Sequence, residues 1–205
     1  MIGFYNYTVI LTYMSLISST IGMFLATTGH FKLALVCLAL SGLLDMFDGK
    51  VARTKKDRTD DEKSFGIQID SLCDVVCFGA FPVLLTYCMG LRSPVGIAIL
   101  AFYAVAGVIR LGYYNVMEAK RQEQTSENRK FYSGLPITSI SIILPLVCLV
   151  GGYFFHNFVL LLHCTMLAVG MLFIIDFKMP KPKNTTLAIL IAIVTLALLK
   201  IFHII

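Results

Sequence analysis

Apolar residues fill the chain in stretches of about twenty, separated by short polar clusters. The stretches run over 7–29, 31–49, 66–90, 93–116, 134–155, 157–177 and 184–205. A bilayer core of roughly 30 Å takes about 20 apolar residues per helix. Lipid also forces each backbone polar group to pair within its own helix. The pattern therefore predicts an all-α membrane protein, a polytopic helical bundle of about seven transmembrane helices, in one domain over 1–205. No internal repeat or low-complexity linker interrupts it. The second stretch is the shortest and ends in carboxylates. Pro82 and Pro136 fall inside stretches and are expected to kink their helices.

Composition strengthens this reading. Of 205 residues 58% are hydrophobic and 14% charged, with a mean hydropathy of +0.82. Soluble domains carry about 25% charged residues, so a soluble enzyme, a disordered tail and a nucleic-acid reader are all excluded. The net charge of +5 sits in short loops and implies no nucleic-acid partner. Met1 to Ile10 has no Lys or Arg and no cleavage site follows, so the first stretch reads as an uncleaved span. The six cysteines, at 37, 73, 77, 88, 148 and 164, all lie in apolar stretches and read as small buried hydrophobes rather than a disulfide framework.

Charge then orients the bundle. Lys50, Arg53, Lys55, Lys56, Arg58 and Lys63 crowd the loop 50–63; Lys120, Arg121, Arg129 and Lys130 the loop 117–132; Lys178, Lys181 and Lys183 the loop 178–183. These are 13 of the 17 basic residues. With seven alternating helices all three loops fall on one side, which the positive-inside rule makes the cytoplasm. The N-terminus is then inside and the C-terminus outside, in a multi-pass protein of the cell membrane. Without tryptophan, Tyr87 and Tyr153 would mark the outer interface, and Tyr113, Tyr114 and Tyr132 the inner one.

Four carboxylates change the picture from fold to chemistry. Asp45 and Asp48 end the second stretch, while Asp70 and Asp74 lie inside the start of the third. Spacings of i,i+3 and i,i+4 put each pair on one helix face, and consecutive antiparallel helices would bring the pairs together near the inner headgroups. Four bare negative charges cannot share a low-dielectric site. Either several are protonated or a divalent cation neutralises them, and an all-oxygen set suits Mg²⁺ or Mn²⁺. The bland alternative is helix-end acids paired with Lys50, Arg53 or Arg110. Gly49, Ala52 and Gly66 leave room beside the carboxylates for something flat and bulky, and Arg53 offers a fork for phosphate. A phosphorylated lipid substrate fits this combination.

These residues resemble a known family. Asp45-x-x-Asp48-Gly49-x-x-Ala52-Arg53, then twelve residues, then Gly66-x-x-x-Asp70-x-x-x-Asp74 is similar to the motif of the CDP-alcohol phosphatidyltransferases. The gap before Gly66 exceeds the eight or so residues of the family pattern, and the excess is charged, like a loop extension. Phe65 to Gly79, Arg110-Leu111-x-x-Tyr114-Asn115 and Gly134-Leu135-Pro136 resemble the family's serine-using branch, the phosphatidylserine synthases. Ser15 departs from that branch, where asparagine is expected. The resemblance runs over about 8–150.

The resemblance implies a six-helix core plus a C-terminal helix, CDP-diacylglycerol and L-serine as substrates, membrane lipids as surroundings, and a homodimer. It implies two divalent ions on Asp45, Asp48, Asp70 and Asp74, with Asp74 also the general base. It places the nucleotide at Gly49, Ala52, Arg53 and Gly66. Arg110, Asn115, Arg129 and Lys130 are candidates for serine or phosphate, against structural pairing for Arg110, helix capping for Asn115 and general headgroup contact for the last two. Cys73 and Cys77 flank Asp74 and invite a zinc reading, but packing is favoured over ligation. The four histidines at 30, 156, 163 and 203 lie away from the carboxylates. Two alternatives stay open: the same chemistry with glycerol phosphate or an inositol compound as acceptor, and a divalent-cation transporter. The latter would place its site near the midplane, not at the inner end.

Overall fold

A computed structural model describes residues 3–4, 6–52, 54–55, 57–124, 131–154, 157–180 and 184–203; at 122–124, 131, 132, 152–154, 180, 184–186, 188 and 203 it describes the backbone alone. Eight α-helices are present among these residues: α1 (Ile10–Thr27, entered by a 3₁₀ turn Tyr7–Val9), α2 (Phe31–Ala52), α3 (Asp60–Asp74), α4 (Phe81–Cys88), α5 (Pro94–Gln124), α6 (Ile140–Phe154), α7 (Phe158–Ile174) and α8 (Asn184–His203). A π-helical segment, Val75–Ala80, joins α3 to α4 without a break, so each of the seven apolar stretches has a helical counterpart. Three counterparts are long and apolar enough to cross a membrane: Tyr7–Thr27, Asp60–Cys88 and Pro94–Arg121. Shorter apolar helices cover Ile137–Gly151, Phe158–Ile174 and Ile189–Phe202. Large apolar side chains also cover the outside, with Phe24 67% and Leu196 66% exposed. Such a surface needs an apolar solvent. The architecture is that of an all-α membrane protein.

α1 and α2 form a close antiparallel pair because small residues line their seam. Ser18 Oγ donates to the Cys37 carbonyl (3.0 Å), Ser15 and Ser41 share a hydroxyl hydrogen bond (2.6 Å), and Thr12 Oγ1 donates to Asp48 (3.1 Å). Gly22 lets Phe81 and Cys37 approach where any Cβ would collide. The helices reverse at Gly29, whose φ of +82° closes a Schellman turn with His30 N–H on the Leu25 carbonyl (2.8 Å). Gly90 (φ +128°) ends α4 the same way, with Leu91 N–H on the Thr86 carbonyl (3.1 Å).

Several expectations need correction. Pro82 directly follows the π-helical segment Val75–Ala80. Lacking an N–H, it leaves the Phe78 carbonyl without its i+4 donor, and the fully buried Tyr103 hydroxyl supplies one at 2.7 Å. Pro136 does not kink a helix. It is extended, ahead of a 3₁₀ turn at Ile137–Ser139, and the proline inside α6 is Pro145. The loop expected from 117 begins later, because α5 continues to Gln124 with an Arg121–Glu118 ion pair (2.6 Å) one turn apart. A small antiparallel sheet, β1 (Phe131–Ser133) with β2 (Lys178–Pro180), pairs Ser133 with Lys178. It ties together two of the basic loops assigned to one side.

Candidate active site

The site begins at α3's first turn. Thr59-Asp60-Asp61-Glu62 is a capping box: Glu62 N–H donates to Thr59 Oγ1 (3.2 Å) and Thr59 N–H to Glu62 Oε2 (3.1 Å). Lys55 Nζ (3.0 Å) and Asn6 Nδ2 (3.2 Å) also donate to Glu62 Oε1. With the start of α3 fixed, Gly66, Asp70 and Asp74 fall one turn apart on a single face.

The two carboxylate pairs meet as their spacing predicts. One oxygen each from Asp45, Asp70 and Asp74 lies within 4.8 Å of the others. Asp48, 8% exposed, accepts from Thr12 Oγ1 beside this cluster. The ion pairs among the described residues join Lys55 to Glu62, Lys63 to Asp60 and Arg121 to Glu118. None of these three reaches the four aspartates. An all-carboxylate cluster at this spacing fits a hard divalent cation such as Mg²⁺ or Mn²⁺. Cys73 and Cys77 are buried outside that cluster, and Cys77 Sγ faces Ser15 Oγ at 3.7 Å.

The remaining candidates divide. Around Gly49 nothing lies within 4 Å of the position a Cβ would take, so its surface is open. Ala52 is half-buried on the following turn. At Gly66 a Cβ would meet Arg58 Nη2 at 2.5 Å, a neighbour that spacing alone could not reveal. Arg53, Arg129 and Lys130 lie outside the described residues. Arg110 is buried, with Nε donating to the Leu135 carbonyl (3.0 Å) and its guanidinium 5.5 Å from the Tyr114 ring. It thereby anchors the Gly134–Pro136 turn to α5. Asn115 is no helix cap, since α5 runs on to Gln124. Its Nδ2 donates to Ser71 Oγ (2.8 Å), beside Asp70 on α3. His30 and His163 hydrogen-bond locally at Thr28 and Val159, away from the carboxylates.

The family pattern of the CDP-alcohol phosphatidyltransferases matches residues 5–170. The chain belongs to this family. The match covers α1 to most of α7 and leaves α8 beyond it. Family members similar to the chain include three proteins named CDP-diacylglycerol–serine O-phosphatidyltransferase. The one from Methanocaldococcus jannaschii is 28% identical over 193 residues, 93% of this chain and 84% of that protein. Those from Helicobacter pylori and Saccharomyces cerevisiae are 33% and 30% identical, over 69% and 58% of this chain. The matches take in 56% and 43% of those two proteins, so the chain spans about half the length of each.

Proposed function

We propose that this protein transfers the phosphatidyl group of CDP-diacylglycerol to the hydroxyl of L-serine, releasing CMP and forming phosphatidylserine. The carrying observation is the convergence of Asp45, Asp70 and Asp74 within 4.8 Å, in a chain of this family. Asp45, Asp48, Asp70 and Asp74 would hold the divalent ions, Mg²⁺ or Mn²⁺ and two in number. When bound, such ions neutralise the pyrophosphate and stabilise the leaving CMP. The serine oxygen attacks the phosphatidyl phosphorus, the bond from that phosphorus to the CMP oxygen breaks, and the hydroxyl proton passes to the Asp74 carboxylate. Gly49, Ala52, Arg53 and Gly66 border the nucleotide. Arg110, buried one turn before Tyr114 on α5, and Asn115, on Ser71, border the acceptor, with Arg129 and Lys130 serving the phosphates.

In the same reading the chain crosses the cell membrane seven times with its N-terminus inside, and the carboxylates face the cytoplasm. The β1–β2 pairing of two basic loops supports their lying on one side. An inner-end site lets a soluble amino acid meet a membrane-bound lipid, which a transport site near the midplane does not. Purified protein given CDP-diacylglycerol, Mn²⁺ and labelled serine should release CMP and label phosphatidylserine. Release of CMP with glycerol phosphate or inositol but not with serine would overturn the acceptor. No release with any alcohol would overturn the activity.

A further inference from the structure

Arg58 stands in the turn between α2 and α3, in the loop that is longer than the family spacing. Its Nη2 donates to the Glu62 carbonyl at 2.9 Å. To reach that carbonyl the guanidinium lies across Gly66, with Nη2 2.5 Å and Cζ 3.7 Å from where a Cβ would be. The space that Gly66 leaves is thus occupied by a planar cation. The Arg58 Nε is buried and has no hydrogen-bond partner, the one such side-chain nitrogen or oxygen among the described residues. A buried donor left without an acceptor is costly, the more so when charged, so this nitrogen is a standing demand for an acceptor.

The surrounding segment holds Arg58 in place. Lys55 and Asn6 converge on Glu62, Tyr7 Oη pairs with Thr54 Oγ1 at 3.1 Å, and the Phe4 ring meets the Phe65 ring edge-on at 5.5 Å. The N-terminal residues therefore strap the loop against the first turns of α3. Gly66 is one turn from Asp70 on the same face of α3, so Arg58 stands at the end of the helix face that carries Asp70 and Asp74.

We propose that Arg58 is a nucleotide-binding residue whose Nε donates to an acceptor oxygen on the nucleoside end of the CDP donor. This rests on the reading of the site as a CDP-alcohol phosphatidyltransferase centre with Gly66 beside the nucleotide. Gly66 then contributes by seating the guanidinium, not by touching the nucleotide itself.

The test compares binding of CMP and of inorganic pyrophosphate, both with Mn²⁺, to the wild type, Arg58→Ala, Gly66→Ala and the double variant. Arg58→Ala should weaken CMP about 10- to 100-fold, the loss of a hydrogen bond from a charged donor, and raise the KM for CDP-diacylglycerol alike. Pyrophosphate affinity and the KM for serine should stay within about twofold. Gly66→Ala should weaken CMP in the wild type but add little once Arg58 is gone, the signature of two residues acting as a unit. If Arg58→Ala does not fold, Arg58→Gln, which keeps a donor for the Glu62 carbonyl, should give the same pattern. Unchanged CMP affinity, equal losses for CMP and pyrophosphate, or an undiminished Gly66→Ala effect in the double variant would each overturn the assignment. A wild type that binds CMP as tightly as Arg58→Ala refutes Arg58 alone. A wild type that binds no CMP refutes the site reading with it.

Discussion

Polar side chains occur on α2 in two settings. Against α1, Ser41 donates to the Ser15 carbonyl (3.2 Å) and receives hydrogen bonds from Ser15 and Ser19 (2.6 and 2.8 Å). Every hydroxyl there is neutral and has a partner within the protein. One turn on, Asp45 and Asp48 face other carboxylates, with no cation in the ion pairs of the described residues. Internal satisfaction marks the serine seam as packing. Among the described residues no ion pair compensates the carboxylate seam, and such a seam fits completion from outside. The difference teaches that burial of polar groups does not by itself identify a site; the unmet electrostatic need does.

The largest effect is expected at Asp74. Asp74→Asn removes the proton acceptor, and turnover should fall by about 10²–10⁴-fold at saturating substrate and metal, the usual worth of a general base. CDP-diacylglycerol should still bind. Near-normal turnover would show that another group takes the proton. Asp45→Asn tests the other half of the contrast. In chelator it should raise Tm by about 2–4 °C, the shift expected of roughly 1 kcal/mol at this size, because it relieves like-charge repulsion. In Mg²⁺ the same variant should lose activity. A lowered Tm in chelator would mean that the cluster stabilises itself.

The serine seam should respond in the opposite sense. Gly22→Ala drives a methyl into Phe81 and Cys37 and should cost about 1–3 kcal/mol by overpacking, read as lost thermal stability with the KM values kept. Ser41→Ala should cost about 0.6 kcal/mol for each of its three interhelical hydrogen bonds, about 2 kcal/mol in all, again at unchanged KM. An altered serine KM in either variant would blur the division between the seams.

The carboxylate site was legible in the chain because helical periodicity fixes which residues share a face, and consecutive helices fix who faces whom. The convergence of Asp45, Asp70 and Asp74 follows from that alone. Arg58 was illegible because its place depends on the path of a loop, which period and hydropathy do not encode. The end of α5 was misread because hydropathy stops near 116 while the helix continues on an Arg121–Glu118 pair. Pro82 announced a disturbance, but its resolution needed Tyr103, 21 positions away on another helix. Ser15 looked like a departure from the expected asparagine, and the structure gives it an ordinary role in the α1–α2 seam.

The central claim is that the four aspartates form a divalent-cation site. Titration of Mn²⁺ into the purified protein, with free Mn²⁺ followed by electron paramagnetic resonance, tests it most directly. The wild type should bind saturably, and a double variant, Asp45→Asn with Asp70→Asn, should lose that binding while remaining folded. Equal binding by the two proteins, or none by the wild type, would contradict the account.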